Sequence, residues 1–177
     1  MDTAWTWELS GHCAKYSFLT DPKGLTMREV EHIFQLAPEP PSEAVKADLF
    51  SGRRFLIAED NAINAEIISE LLRMCGAQIE VKGDGALAVE AFRAAAPGTY
   101  DAILMDIQMP LMNGYEAAEA LRSMEREDAQ NVPIIAMTAN AFADDVLAAK
   151  NAGMNEHIAK PLDMLRLQEL LGDYLNR

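Results

Sequence analysis

The chain is poor in cysteine, in basic charge and in long apolar runs. Its two cysteines, Cys13 and Cys75, lie too far apart in sequence for metal-ligand spacing; the reading is reduced thiols and a cytoplasmic address, with Cys75 packing as a small hydrophobe at a helix end. Fifteen Lys and Arg face 28 Asp and Glu, a formal charge of -13, so the clustered cations of a nucleic-acid surface are missing. No apolar stretch approaches the ~20 residues of a membrane span, and Met1-Asp2-Thr3 lacks the basic start of a secretion signal, so no membrane contact is expected of this segment. What is present is a half-apolar composition over 177 residues, enough for one well-buried domain and an appendage.

The apolar residues come in short bursts, each closed by a polar one. Phe55-Leu56-Ile57-Ala58 runs into Glu59-Asp60, Ile103-Leu104-Met105 into Asp106, Pro133-Ile134-Ile135-Ala136-Met137 into Thr138, and His157-Ile158-Ala159 into Lys160-Pro161. Amphipathic stretches of helical length separate them. In residues 61–74 the positions Ile63, Ile67, Ile68, Leu71, Leu72 and Met74 fall on one helical face, and Gly76 ends the helix. A strand over 77–81 follows, then a helix capped by Asp84 and carrying Ala88, Val89 and Phe92, and further helices over 114–124, 140–151 and 163–175. Five strands alternating with five helices predict an α/β fold with a doubly wound parallel sheet. All carboxyl ends of such a sheet share one edge, which brings Glu59, Asp60, Asp106, Thr138 and Lys160 together, with Asp106 presented to solvent.

Three carboxylates forced together repel unless one is protonated or a cation lies between them. Hard oxygen donors with open positions suit Mg²⁺. A cation, a lysine and a hydroxyl facing one carboxylate make a cradle for a phosphoryl group, with Asp106 as nucleophile, Lys160 pairing with the phosphoryl oxygens and Thr138 donating to one of them. Not every strand-end polar residue is read this way. Asp101 begins its strand and is assigned no chemistry, Asn61 and Asn64 are read as capping and orienting the first helix, and Met105, Met109, Met112 and Met137 as packing.

Residues 54–174 resemble a response-regulator receiver domain. The phrases Ala58-Glu59-Asp60-Asn61 with Asn64, Met105-Asp106-Ile107-Gln108-Met109-Pro110 with Gly114, and Ala136-Met137-Thr138-Ala139-Asn140-Ala141 are similar to receivers attached to hybrid sensor histidine kinases. The resemblance implies a flavodoxin-like (CheY-like) five-stranded sheet in the order 2-1-3-4-5. It implies phosphorylation of Asp106 by a phosphohistidine donor, a histidine kinase, and relay to a histidine phosphotransfer protein. It also implies Mg²⁺ held by Asp60, Asp106 and the Gln108 backbone carbonyl, with Glu59 reaching it through water, and a cis bond before Pro161.

Three residues before the lysine, where receivers often carry an inward-turning Tyr or Phe, this chain has His157, which reads as a switch residue with some pH sensitivity or as a surface histidine at a strand end. Ala139 is small and leaves the phosphoryl site open. The surface of the fourth helix and fifth strand is where receivers commonly form a homodimer. Two other classes stay open: an aspartyl-phosphate phosphatase-like hydrolase, although Gln108 stands where its second Asp would be, and an interaction module independent of phosphorylation.

Residues 1–51 are read as a small α+β appendage, set off by the turn-rich Ala37-Pro38-Glu39-Pro40-Pro41-Ser42, with 52–177 as the receiver. Trp5-Thr6-Trp7-Glu8-Leu9 and Thr26 to Phe34 weakly resemble the opening of a PAS sensor domain, against the alternative of a linker or kinase-derived remnant. Trp5, Trp7, Leu9, Tyr16, Phe18, Ile33, Phe34 and Phe50 are expected to be docked on the receiver or on a second chain.

Overall fold

A computed structural model describes residues 48–139 and 143–175. The appendage up to residue 47, with its PAS-like phrases and both tryptophans, lies outside the described residues, as do Asn140 and Ala141.

The described chain alternates strand and helix. Strand β1 (Arg54–Ala58) is followed by α1 (Ala62–Met74), β2 (Gln78–Lys82), α2 (Gly85–Ala94), β3 (Ala102–Asp106), α3 (Gly114–Arg122), α4 (Glu127–Asn131), β4 (Ile134–Thr138), α5 (Ala143–Asn151), β5 (Glu156–Ala159) and α6 (Met164–Leu175). The strands form one parallel sheet in the order β2-β1-β3-β4-β5. The central strands β3 and β4 are buried along their whole length, which is why they read as unbroken apolar runs, whereas the edge strand β2 mixes exposed and half-buried positions.

Alternate residues of each strand feed opposite faces. Leu56, Ile103, Met105 and Ile134 pack with Phe92 of α2 and Leu121 of α3; Ile57, Leu104, Ile135 and Met137 pack with Leu72 of α1 and Leu167 and Leu171 of α6. Phe50, on the appendage side of the composition change, is buried in the second of these layers and meets Phe55 edge-on at 5.3 Å, while its N–H donates to the Cys75 carbonyl. Cys75 is a free, buried thiol, as expected of a small hydrophobe.

The local signals acted where they were read. Asn61 caps α1 and Asp84 caps α2 by accepting from the Leu87 N–H. On α3, Asn113 and Glu116 add a reciprocal capping box that was not read from the sequence.

Two expectations need correction. The apolar set on α1 is not one buried face: Ile68 and Leu72 are buried, but Ile63, Ile67 and Met74 are exposed. Their arc is wider than the strip that the sheet and α6 cover. The described residues also hold six helices, not five. The extra one, α4, is short and has no apolar period, since Ala129 is its one buried residue. It is held by side chains instead. Arg126 pairs with Asp128 through two bonds of 2.7 and 3.0 Å and donates to the carbonyls of Phe92, Arg93 and Ala95 at the end of α2.

Candidate functional site

The carboxyl edge of the sheet gathers the polar residues that close the apolar runs. Glu59 and Asp60 follow β1, Asp106 ends β3, Thr138 ends β4 and Lys160 follows β5. Register explains the convergence: Ala58 pairs with Met105, Asp106 with Met137 and Thr138 with Ala159, so successive strands present their closing residues within a step of one another. Ligand oxygens of Glu59, Asp60 and Asp106 lie within 4.8 Å of one another.

Asp106 is more enclosed than its place at a strand end suggests. It is 5% exposed, against the expectation of a solvent-presented carboxylate, and Glu59 is 2% exposed; Asp60 is the exposed member of the three. The enclosing group is Lys160, whose Nζ lies 2.7 Å from Asp106 Oδ2 and 2.6 Å from Glu59 Oε2. Burial pulls this ammonium toward losing its proton, but the hydrogen bonds and charges of Asp106 and Glu59 outweigh it, and its pKa rises above that of an ordinary lysine. Lys160 is placed by its backbone, since its N–H donates to the Thr138 carbonyl at 2.7 Å, and the Lys160–Pro161 peptide is cis.

Each carboxylate is oriented by a further bond. Asp106 Oδ1 accepts from the Gln108 backbone N–H at 3.2 Å, and Glu59 Oε1 accepts from the Asn64 side-chain amide at 3.1 Å. From sequence, Asn64 reads as orienting its helix or meeting a partner, not as a support for Glu59. Its i,i+5 spacing from Glu59 across a helix start is the signal that would have found the bond. The other helix asparagine, Asn61, is the cap, accepting from the N–H groups of Ile63 and Asn64.

The loop after β3 is closed against the site. Gly114 N–H donates to the Ile107 carbonyl at 3.0 Å, and a Cβ at Gly114 would collide with the Asp106 backbone carbonyl, so only glycine allows α3 to start this close to Asp106.

His157 stands apart from the carboxylates. It pairs with Ala136 two residues inside β4, is half-buried, and its Nδ1 lies 3.2 Å from Glu156 Oε1, a neighbour that reading the histidine alone overlooked. Asp101 is structural, as expected. It accepts from Arg53 at 2.7 Å and from the Arg54 N–H at 2.8 Å.

Residues 55–172 match the family model described as response regulator receiver domain. The peroxide stress-activated histidine kinase mak1 of Schizosaccharomyces pombe is 41% identical over 127 residues, which are 71% of this chain and 8% of that kinase. Among solved structures, the receiver domain of sensor histidine kinase PA1611 from Pseudomonas aeruginosa, with a magnesium ion coordinated in its active-site cleft, matches at 37% identity and TM-score 0.65 over 72% of this chain and 100% of that one. A match at 29% identity and TM-score 0.64, over 71% of this chain and 90% of that one, is to the co-crystal structure of the Saccharomyces cerevisiae histidine phosphotransfer protein Ypd1 with the receiver domain of Ssk1.

Proposed function

Since this chain belongs to the response-regulator receiver domains, we propose that Asp106 is its phosphoacceptor, taking a phosphoryl group from a protein phosphohistidine in a multistep phosphorelay. The observation that carries this reading is the cluster itself: one enclosed carboxylate, two acidic neighbours and a bridging ammonium at the carboxyl edge of the sheet. In the transfer, a carboxylate oxygen of Asp106 forms the P–O bond as the P–N bond breaks, and the bonding pair returns to the imidazole nitrogen of the donor. Lys160 then moves from a carboxylate partner to the phosphoryl oxygens, and Thr138 donates to one of them.

Three carboxylate ligand atoms within 4.8 Å suit a hard divalent cation. We assign Mg²⁺ to Asp60, Asp106 and the Gln108 carbonyl, with Glu59 in reach through water. When bound, it offsets negative charge on the transferring group.

His157 is proposed as the switch residue that changes place when Thr138 turns toward the phosphoryl group, reshaping the α5–β5 surface where a homodimer would form. The expected partners are a histidine kinase and a histidine phosphotransfer protein, in keeping with the kinase relatives of which this chain spans a small share. Among the described residues no helix is long and apolar enough to cross a membrane, and we place the domain in the cytoplasm. The N-terminal segment is proposed to be an appendage derived from a PAS-like sensor, ending before Phe50, which packs in the receiver core. Beyond Mg²⁺-dependent phosphorylation and slow dephosphorylation, no conventional enzyme activity is assigned.

The test is labelling with acetyl phosphate and Mg²⁺. Wild type should gain one alkali-labile phosphate, located by borohydride reduction, which releases the phosphate and converts residue 106 to homoserine, and Asp106→Asn should gain none while keeping its circular dichroism. Label accumulating on Asp106→Asn at the wild-type rate would remove Asp106 as acceptor.

A further inference from the structure

Between β3 and α3 the backbone makes a turn that its sequence does not favour. Leu111 has φ +66°, and the Met112 N–H donates to the Pro110 carbonyl at 2.7 Å, closing a three-residue turn around it. Glycine and asparagine enter this left-handed region readily, whereas a leucine is strained there by its Cβ. Burial could compensate, but Leu111 is 91% exposed. A large apolar side chain is thus held in water, in a strained conformation, with no return from the core of its own domain.

The loop that carries it is held fast. Its ends meet through the Gly114 N–H and the Ile107 carbonyl at 3.0 Å, Ile107 N–H donates to the Met137 carbonyl at 3.1 Å, and Gly85 N–H donates to the Met112 carbonyl at 3.2 Å. Gly114 abuts the Asp106 carbonyl. Three residues of extended chain separate Leu111 from Gly114, which keeps Leu111 within about 11 Å of it. A standard protein interface covers roughly 800 Å² on each partner, a patch about 16 Å in radius. A protein that delivers a phosphoryl group to Asp106 through such an interface centred on the site reaches Leu111, whereas a small phosphodonor does not.

We propose that Leu111 is a partner-reading residue: an apolar anchor held out by a left-handed turn, on which the phosphohistidine-bearing protein that exchanges phosphoryl groups with Asp106 packs its own apolar surface. This rests on the assignment of Asp106 as acceptor. The exposed side chain favours association because its apolar area leaves water only when the partner docks, and the fixed loop keeps the entropic cost of ordering small.

The full chain, Leu111→Gly and Met74→Ala are compared with two donors: labelled acetyl phosphate, and a phosphorylated histidine phosphotransfer domain that labels wild type. Met74 is the control, an exposed apolar residue at the far end of α1. Leu111→Gly should melt above wild type, because glycine relieves the turn, and should accept from acetyl phosphate at the wild-type rate. Its kcat/KM with the protein donor should fall ~10-fold, carried by KM. Met74→Ala should match wild type with both donors. Unchanged transfer from the protein donor to Leu111→Gly overturns the proposal, as does an equal loss with both donors, which would make Leu111 a shaper of the loop. Label from the protein donor that persists on Asp106→Asn overturns the acceptor assignment itself, and the two failures are thereby told apart.

Discussion

Lys160 and Arg122 are both drawn into the protein, at opposite edges of the sheet, and they are answered by different chemistry. Lys160 meets two carboxylates. Arg122 meets neutral oxygens: its guanidinium donates to the carbonyls of Gly153 at 2.9 Å, Ala129 at 2.6 Å and Val132 at 2.8 Å, and to Asn155 Oδ1 at 2.7 Å. The surroundings pull their pKa values in opposite directions, up for Lys160 despite its burial, and down for Arg122, where burial dominates. Carbonyls cannot change partner without unravelling backbone, so Arg122 fastens α3, α4 and the start of β5 permanently. Carboxylates can exchange one cation for another, so the Lys160 edge is the one suited to chemistry.

The widest separation between the two edges should come from Arg122→Met. It leaves three backbone carbonyls without their donor and should cost about 3 kcal/mol in urea unfolding, with no rescue by Mg²⁺. Lys160→Met should cost less, about 2 kcal/mol, because it leaves Glu59 and Asp106 facing each other, and millimolar Mg²⁺ should restore most of that loss. If Mg²⁺ rescued both variants equally, or neither, the distinction would collapse. Asp60→Asn should act with the opposite sign. Removing the exposed carboxylate relieves repulsion and should stabilise the apo domain by about 0.5 to 1 kcal/mol, while weakening Mg²⁺ binding measured by calorimetry; unchanged stability with undiminished affinity would exclude a shared site.

The smallest effect belongs to a third ionic group, on the sheet between those edges. Tyr100 Oη donates to Glu80 Oε2 at 2.8 Å, and this bond lowers the Glu80 pKa from its ordinary 4.5, with burial opposing and Arg54 and Lys82 adding. A folded-state pKa below the unfolded one gives stability that is full above about pH 4.5 and is lost as pH falls through the lowered value. Glu80→Gln should therefore flatten the acid limb of urea midpoints below that pH. Tyr100 is the mirror case: burial, then the bond to Glu80, raises its phenol to about 12. Its absorbance titration should move down toward 10.0 in Glu80→Gln, and an unmoved midpoint would mean the bond contributes nothing in solution.

The sheet and its edge were legible because parallel central strands must be apolar throughout, leaving the closing residue as the first polar signal; Asp106 and Thr138 stand out for that reason. Side-chain reach was not legible. That Lys160 folds back over Asp106, that Asn64 holds Glu59, and that Glu156 pairs with His157 are facts of rotamer and register, which local composition does not encode. Nor does apolar periodicity tell burial from display. Ile63 and Ile67 fit the α1 pattern as well as Ile68 does, yet the area of the sheet decides which of them it covers. Helix α4 escaped for the converse reason, being secured by two arginines that precede it, Arg122 and Arg126, rather than by an apolar stripe.

The start of α3 bears on how long the protein lasts. Asn-Gly pairs are where polypeptides age most readily, as the glycine nitrogen attacks the asparagine side chain and the resulting ring opens to aspartate or isoaspartate. Here Asn113-Gly114 sits beside Asp106, where an added backbone methylene would push the whole helix off its mark. Both reacting partners are engaged elsewhere, the Gly114 N–H on the Ile107 carbonyl and Asn113 Oδ1 on the Glu116 N–H. The capping box thus protects the chemical integrity of the chain at its most damaging point, and unfolding sets the ageing clock running.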